Sequence, residues 1–472
     1  MSLSGDYMGN EQDPYLNDDE IREKITNCKS YISEGESYLY KETIEEVIQI
    51  CLEYDFTEDG LLLSNALLEI APYNSELWQH KGIFLNNLFE FEEAYDCFDK
   101  SISLNPTDVD TLLNKSIAAD NLGLFNEAVD SLETAKTNEP YNEEIYFSLG
   151  VLYEKKEMFA KAMEYLQQAV KIDKKYGEAW YELGFCYENL EKYNAALDAY
   201  NNYLEIDPYS FTGWYNKGII LSKLGKFDNA INSFELSIAL KEDFSSSWFN
   251  CGIVYSKLNK LNDALAAFKK ASKIDPYDET ILFSLGQTYE ELGDINQAIK
   301  FFTRSIEIDD EYFEAYLARG YCYDLIGKYP LALKDFNKAI SLTDDSIDAW
   351  SAKADLEYSI GNLQESIDSL EKVVKIDQGN FEAWYKLAEN YIEVGSWLDG
   401  IKAFDQCLVL KPQHANSYYG KAKINFLLSR THDAIECLKS AFRLDPSMKN
   451  EFAKEYPEVK SSKLFTKLLG EN

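Results

Sequence analysis

The chain has 472 residues, 46% of them hydrophobic, with 34 tyrosines, 26 phenylalanines and a formal charge of −36. So much apolar surface excludes a disordered chain, and acidity spread along the whole length excludes nucleic acid and anionic membrane surfaces as partners, because polyanion binding depends on Lys and Arg neutralising phosphates. No run approaches the roughly 20 apolar residues that span a bilayer, and the acidic, polar start has neither a basic nor an apolar leader region, so a soluble, unexported, cytoplasmic protein is expected.

Residues 1–18 are expected to form a disordered acidic tail, and Ile21, Ile25, Cys28 and Tyr31 predict a helix over 19–35. From Ser75 onward the sequence falls into rows of 34 beginning at Ser75, Val109, Glu143, Gly177, Phe211, Ser245, Glu279, Phe313, Ile347, Phe381 and Ala415, eleven copies with no insertion or deletion. Pro72, Pro106, Pro140, Pro208, Pro276, Pro412 and Pro446 stand on the same ladder, which is the mark of a repeat array. Residues 41–74 fit one further, degenerate row: Pro72 is in place, but Gly60 fills the twentieth position and the aromatic fourth position is lost. Beyond the last row, residues 449–472 are interrupted by Pro457 and resume at Ser461 to Leu469, which predicts a polar helix closing the stack.

Position four of the rows holds Trp78, Leu112, Tyr146, Trp180, Trp214, Trp248, Leu282, Tyr316, Trp350, Trp384 and Tyr418, so six of the seven tryptophans share one place. Position eight is small throughout, from Gly82, Ser116 and Gly150 to Ala354, Ala388 and Ala422, and position twenty is small from Ala94 to Ala434. Two small positions predict close approach of helix backbones, with the position-four aromatic filling the space beside the first. The first helix of each row is expected to run to about position fourteen. Gly123, Gly225, Gly293, Gly327, Gly361 and Gly395 then supply the left-handed residue that a helix end favours. The second helix carries a large apolar residue at position 24, from Phe98 to Leu438, and stops near the proline rung, since proline cannot continue a helix. Asp108, Asn142, Ser210, Asp278, Ser346 and Asn380 are placed to cap the next first helix.

The pattern W-x2-L-G-x2-Y, then A, F and P on a period of 34 resembles the tetratricopeptide repeat over residues 75–448. The segment Tyr38–Asp55 is similar to the start of uncharacterised cytoplasmic arrays of bacteria. The resemblance implies an all-α solenoid, a right-handed superhelix of about eleven to twelve helix-turn-helix repeats whose first helices line an inner groove through positions 2, 5, 6, 9 and 12.

Position five is aromatic in seven rows, including Phe147, Tyr181, Tyr215, Phe249 and Phe283, and position nine runs Ile83, Ile117, Val151, Phe185, Ile219 and Ile253 before turning to Gln287, Tyr321, Asp355, Glu389 and Lys423. The groove is therefore expected to be apolar over the first six rows and polar towards the C-terminus. Tyrosine at position five is common in this repeat whatever it binds, so part of that stripe is packing. Exposed aliphatic residues at position nine point to a binding surface. Position two adds Glu76, Asp110, Glu144, Glu178, Glu314, Asp348 and Glu382; carboxylates in a first turn favour the helix dipole and, facing a groove, attract basic ligand residues. Asn114, Asn216 and Asn250 are candidates to hold the backbone of an extended peptide, as the family's asparagine at that position does.

The family's clamp for chaperone-tail carboxylates needs several basic groove residues, and only Lys386 and Lys423 are present, so that mode is not expected. Cys28, Cys51, Cys97, Cys186, Cys251, Cys322, Cys407 and Cys437 form no CxxC or metal spacing and read as buried, reduced thiols. His80, His414 and His432 lie apart from one another and read as surface residues; no phosphate loop or nucleophile elbow interrupts the period, so neither cofactor, metal nor catalysis is expected. The sequence predicts a non-enzymatic scaffold binding an apolar and in part basic protein or peptide segment through Phe147, Tyr181, Phe185, Tyr215, Asn216, Ile219, Phe249, Asn250, Ile253 and Phe283. The alternative reading is a self-associating structural protein, a homo-oligomer joined end to end or by its tail in the groove.

Overall fold

The structure, a computed structural model, describes residues 18–456. The described residues form twenty-six helices in an all-α solenoid of tandem hairpins, divided into two compact units, Met1–Leu240 and Lys241–Asn472. In the first unit the helix Asp18–Ser33 precedes the hairpin Lys41–Glu53 and Thr57–Ile70, and five hairpins follow, from Ser75–Asn87 with Phe91–Leu104 to Phe211–Lys223 with Phe227–Leu240. The second unit carries six, from Ser245–Lys257 with Leu261–Ile274 to Ala415–Leu427 with Thr431–Leu444, and then Met448–Glu455. The tail expected over residues 1–18, apart from Asp18, and the helix expected at Ser461 to Leu469 lie outside the described residues.

Each first helix ends on a left-handed residue at position fifteen of the repeat, the six predicted glycines adopting φ of 71–86°. Where glycine is missing, Asp55, Phe89, Glu157, Glu191, Asn259 and Ser429 adopt φ of 57–64° at the same place. The turn is thus imposed by the repeat even where the side chain opposes it.

The space beside the small position eight is filled from position 24 of the same hairpin, not by the position-four aromatic as the sequence reading expected. A Cβ on Gly82, Gly184, Gly218, Gly252, Gly286 or Gly320 would stand 2.5–2.8 Å from the ring of Phe98, Tyr200, Phe234, Phe268, Phe302 or Phe336 respectively. Where position eight is alanine, Ala354 and Ala422 face the smaller Leu370 and Leu438. Ala388 and Phe404 share one core cluster, and the Phe404 ring also lies against Gly420 of the following repeat, where a Cβ would come within 2.3 Å of it. A Cβ on Gly150 would meet Leu166 at 2.6 Å in the same way, so position eight stays small whichever large side chain fills position 24.

The tryptophans act elsewhere. The indole N–H of Trp78, Trp180, Trp214, Trp248, Trp350 and Trp384 donates to the carbonyl six residues earlier, those of Pro72, Lys174, Pro208, Glu242, Asp344 and Gln378, at 2.9–3.1 Å. Where position four is tryptophan, it therefore pins the loop that enters the repeat. Of the predicted caps, Asn142, Ser210, Asp278, Ser346 and Asn380 accept from backbone N–H groups of the next helix. Asp108 makes no such bond, because its carboxylate accepts from the Thr111 hydroxyl instead. Asn74 and His414 cap their helices without having been singled out by the sequence.

Candidate functional site

In the first unit, bonds between successive first helices set them side by side. Lys155 reaches Asp120 at 2.5 Å, Asn216 Nδ2 donates to the Tyr181 hydroxyl oxygen at 3.0 Å, and Lys223 reaches Glu188 at 2.9 Å. This places positions five, six, nine and twelve of consecutive repeats on one face.

On that face the position-nine side chains stand in solvent to different degrees. Ile117 is 48% and Phe185 37% exposed, and Ile83, Val151 and Ile219 are half-buried. The position-five rings are committed more deeply to their own hairpins. Phe147 lies 5.0 Å from Tyr176, Tyr181 lies 5.9 Å from Tyr200 and 5.2 Å from Tyr203, and Tyr215 lies 6.0 Å from Phe234. Each remains half-buried rather than enclosed. Leu113, at the same position, is buried outright.

The remaining predicted site residues belong to the second unit and are described by themselves. Phe249 packs 5.7 Å from Phe268, and Phe283 packs 5.5 Å from Phe302 and 5.1 Å from Tyr312, with all but Phe268 and Phe302 half-buried. Ile253 is half-buried on the position-nine line. The asparagines already make bonds of their own: Asn250 Nδ2 donates to the Ser246 carbonyl at 3.0 Å, as Asn114 Nδ2 does to Asp110 at 2.9 Å.

A carboxyl pair that the sequence did not reveal lies beside Tyr181. Glu154 and Glu182, from successive first helices, are in hydrogen-bonding contact, and the Cys186 thiol donates to Glu154 Oε2 at 3.9 Å. Burial first, and then the Glu182 charge, push the Glu154 carboxyl up to about 8, and burial raises Glu182 as well, so the pair shares a proton at neutral pH. Their positions, twelve in one repeat and six in the next, meet only once the register between hairpins is known.

Two of the three histidines are not the surface residues expected. His80 is only 8% exposed, its Nε2 3.2 Å from Gln49 Nε2, and burial lowers its pKa. His414 caps the helix Ala415–Leu427 and stands edge-on to Phe381 at 4.7 Å. His432 is exposed. The cysteines are free, all buried but the half-buried Cys437. Among the described residues no cluster of three or more His, Cys, Asp and Glu is placed to hold a metal, and no helix is long and apolar enough to cross a membrane.

In the last repeats of the second unit the corresponding first-helix positions are ionic. Lys386 pairs with Asp355 at 2.7 Å, Lys423 with Glu455 at 2.7 Å, and the Tyr358 hydroxyl donates to Glu393 at 2.6 Å. The two lysines that alone match the chaperone-tail clamp are thus held by carboxylates of the chain itself.

The tetratricopeptide repeat profile matches residues 75–108, 143–176, 211–244, 280–312, 313–346, 347–380 and 415–448, together half of the chain, and two further profiles of this repeat match 177–210 and 255–293. The chain belongs to the tetratricopeptide repeat family, and its repeats are those of a protein-interaction scaffold. No curated protein matches its sequence. Solved structures similar to it include a tetratricopeptide repeat protein from Parabacteroides merdae, 21% identical, with 50% of this chain and 93% of that one covered and a TM-score of 0.38. YrrB, described as having an unusual peptide-binding site, is 19% identical over 40% of this chain and 96% of its own, with a TM-score of 0.36. The Cut9–Hcn1 assembly is 15% identical over 87% of this chain and 95% of the other, also with a TM-score of 0.36.

Proposed function

We propose that the chain is a scaffold that captures an apolar, non-acidic peptide or protein segment on the first-helix face of its first unit, with Phe147, Tyr181, Phe185, Tyr215 and Ile219 as contacts. Phe249, Ile253 and Phe283 offer the same chemistry in the opening repeats of the second unit. One observation carries this reading: Ile83, Ile117, Val151, Phe185 and Ile219 recur at one position of five consecutive repeats and none is buried, whereas a hairpin buries apolar side chains it needs for its own stability. Covering such a line gains about 25 cal/mol for each Å² of apolar surface removed from water.

The exposed carboxylates Glu76, Asp110, Glu144 and Glu178 repel acidic ligands and draw in cationic ones. Asn216 and Asn250 already donate within the protein, so rings and aliphatic groups, rather than these amides, supply the affinity. The test uses peptides selected from a random library by the immobilised chain. Phe185→Ser with Ile219→Ser is expected to weaken the selected peptides at least about tenfold at unchanged helical circular dichroism; equal affinity in the double variant refutes the assignment.

A further inference from the structure

The loops that enter the repeats between Pro72 and Asp278 alternate with a period of two repeats, and the alternation leaves tyrosines with no packing role. Pro72-Tyr73, Pro140-Tyr141, Pro208-Tyr209 and Pro276-Tyr277 occupy every second rung. After each, the last residue of the repeat, Asn74, Asn142, Ser210 or Asp278, caps the next helix through its side chain. On the rungs between, Asp108, Tyr176, Phe244 and Tyr312 stand at that last position and make no side-chain cap bond. Two of these carry a ring that turns inward: Tyr176 lies 5.0 Å from Phe147, and Tyr312 lies 5.1 Å from Phe283.

From Pro72 to Asp278 every second repeat thus begins behind a polar cap preceded by a tyrosine, whereas Ser346, Asn380 and His414 further on cap without one. Those tyrosines point away from the protein: Tyr73 is 81%, Tyr141 83%, Tyr209 80% and Tyr277 78% exposed. Removing so large a ring from water gains much, and none of the four does so within the chain. Carboxylates stand near them in the chain. Glu139, Glu143 and Glu144 share with Tyr141 a surface depression of about 520 Å³. Glu76 follows Tyr73 on an exposed first turn, and Asp207, whose Oδ1 accepts from the Tyr209 backbone N–H at 3.1 Å, precedes Tyr209.

We propose that Tyr73, Tyr141 and Tyr209 of the first unit form an edge surface that binds an arginine-rich extended segment of a partner protein, one guanidinium on each ring. The choice of partner rests on charge and shape: a ring face beside carboxylates suits a planar cation, which stacks on the ring while its N–H groups meet the carboxylate oxygens. A lysine ammonium gains the charge but not the stacking, and an acidic or polyanionic partner is repelled. Its rings are not among the first-helix contacts, although Glu76 and Glu144 border both surfaces.

The experiment measures binding of a fluorescent deca-arginine peptide to the full chain at near-physiological salt, which suppresses diffuse attraction to the acidic surface. Tyr73→Ser, Tyr141→Ser and Tyr209→Ser together are expected to weaken binding about tenfold or more, from roughly 0.5–1 kcal/mol for each exposed cation–ring contact. The matching triple Tyr→Phe variant keeps the affinity within about twofold, because the ring face remains. Exposed loop side chains tolerate both changes, so each variant retains the wild-type circular dichroism. Unchanged binding in the serine variant, or no binding by the wild-type chain, overturns the proposal, as does loss in both variants, which would assign recognition to the hydroxyls. Phe185→Ser with Ile219→Ser leaves this binding unaltered, so failure here and failure of the first-helix reading are told apart.

Discussion

Residues 143–240 of the first unit and 347–448 of the second follow one period but solve packing and solvation differently. In the former, Gly184 and Gly218 accept the rings of Tyr200 and Phe234, and Val151, Phe185 and Ile219 line the first-helix face. In the latter, Ala354 and Ala422 face leucines, and Asp355, Glu389 and Lys423 replace the apolar line, with Asp355 and Lys423 tied into ion pairs. The comparison separates what the hairpin needs from what it does not. Position eight stays glycine, serine or alanine in every repeat and packs against a large apolar residue at position 24, yet position nine ranges from isoleucine to lysine without disturbing the period. A position so free of structural demand takes its residues from what the surface meets.

The largest stability effect expected is from Gly218→Ala, whose Cβ would meet the Phe234 ring at 2.6 Å. Overpacking of this kind costs about 1–3 kcal/mol and lowers the urea midpoint, whereas Ala354→Gly, facing Leu370, costs only about 1 kcal/mol of helix propensity. Equal losses would dissolve the packing half of the comparison. Next is the Glu154–Glu182 pair. Both carboxyls are raised above their unfolded values; the Glu154 contribution is fully present below about pH 4.5 and is lost as pH rises through about 8, and Glu182 acts in the same direction. Chemical denaturation should therefore show the wild type weakening by on the order of 1–2 kcal/mol between about pH 5 and pH 9, once solvent access is allowed for, and Glu154→Gln flattening that slope. A parallel slope in the variant would remove the shared proton.

A smaller gain is expected from Tyr200→Phe. The Tyr200 hydroxyl is buried without a partner, while six other repeats carry phenylalanine at that place; relieving it stabilises by about 1 kcal/mol, seen as a higher melting temperature. Smallest is Glu157→Gly. Its left-handed φ of 57° is one that glycine adopts without strain in six other repeats, so the exchange gains about 0.5–1 kcal/mol in thermal unfolding. No change would mean the turn tolerates either residue.

The fold was legible because a fixed period, small position eight and the proline rung are properties of single columns. What escaped involved two columns at once. The tryptophans were read as fillers of the glycine gap, although the gap belongs to position 24 and the indole N–H seeks a loop carbonyl. Glu154 and Glu182 meet across a hairpin boundary, and His80 is buried against Gln49 of the preceding repeat; neither contact follows from spacing within a row. Asp108 has the residue type of a cap but a nearer donor in Thr111. Of the candidate site, the position-nine line could be read directly as apolar residues without a repeat-wide requirement, whereas the depth to which the position-five rings sink into their hairpins depended on ring directions.

The most direct measurement is hydrogen–deuterium exchange of the full chain with and without a library-selected peptide. The account predicts slowed exchange concentrated in the first helices Glu143–Lys155, Gly177–Asn189 and Phe211–Lys223, with the second helices Phe159–Ile172 and Tyr193–Ile206 unchanged. Protection confined to those second helices, or to Ile347–Ser359 and Ala415–Leu427 on the ionic face, would contradict it.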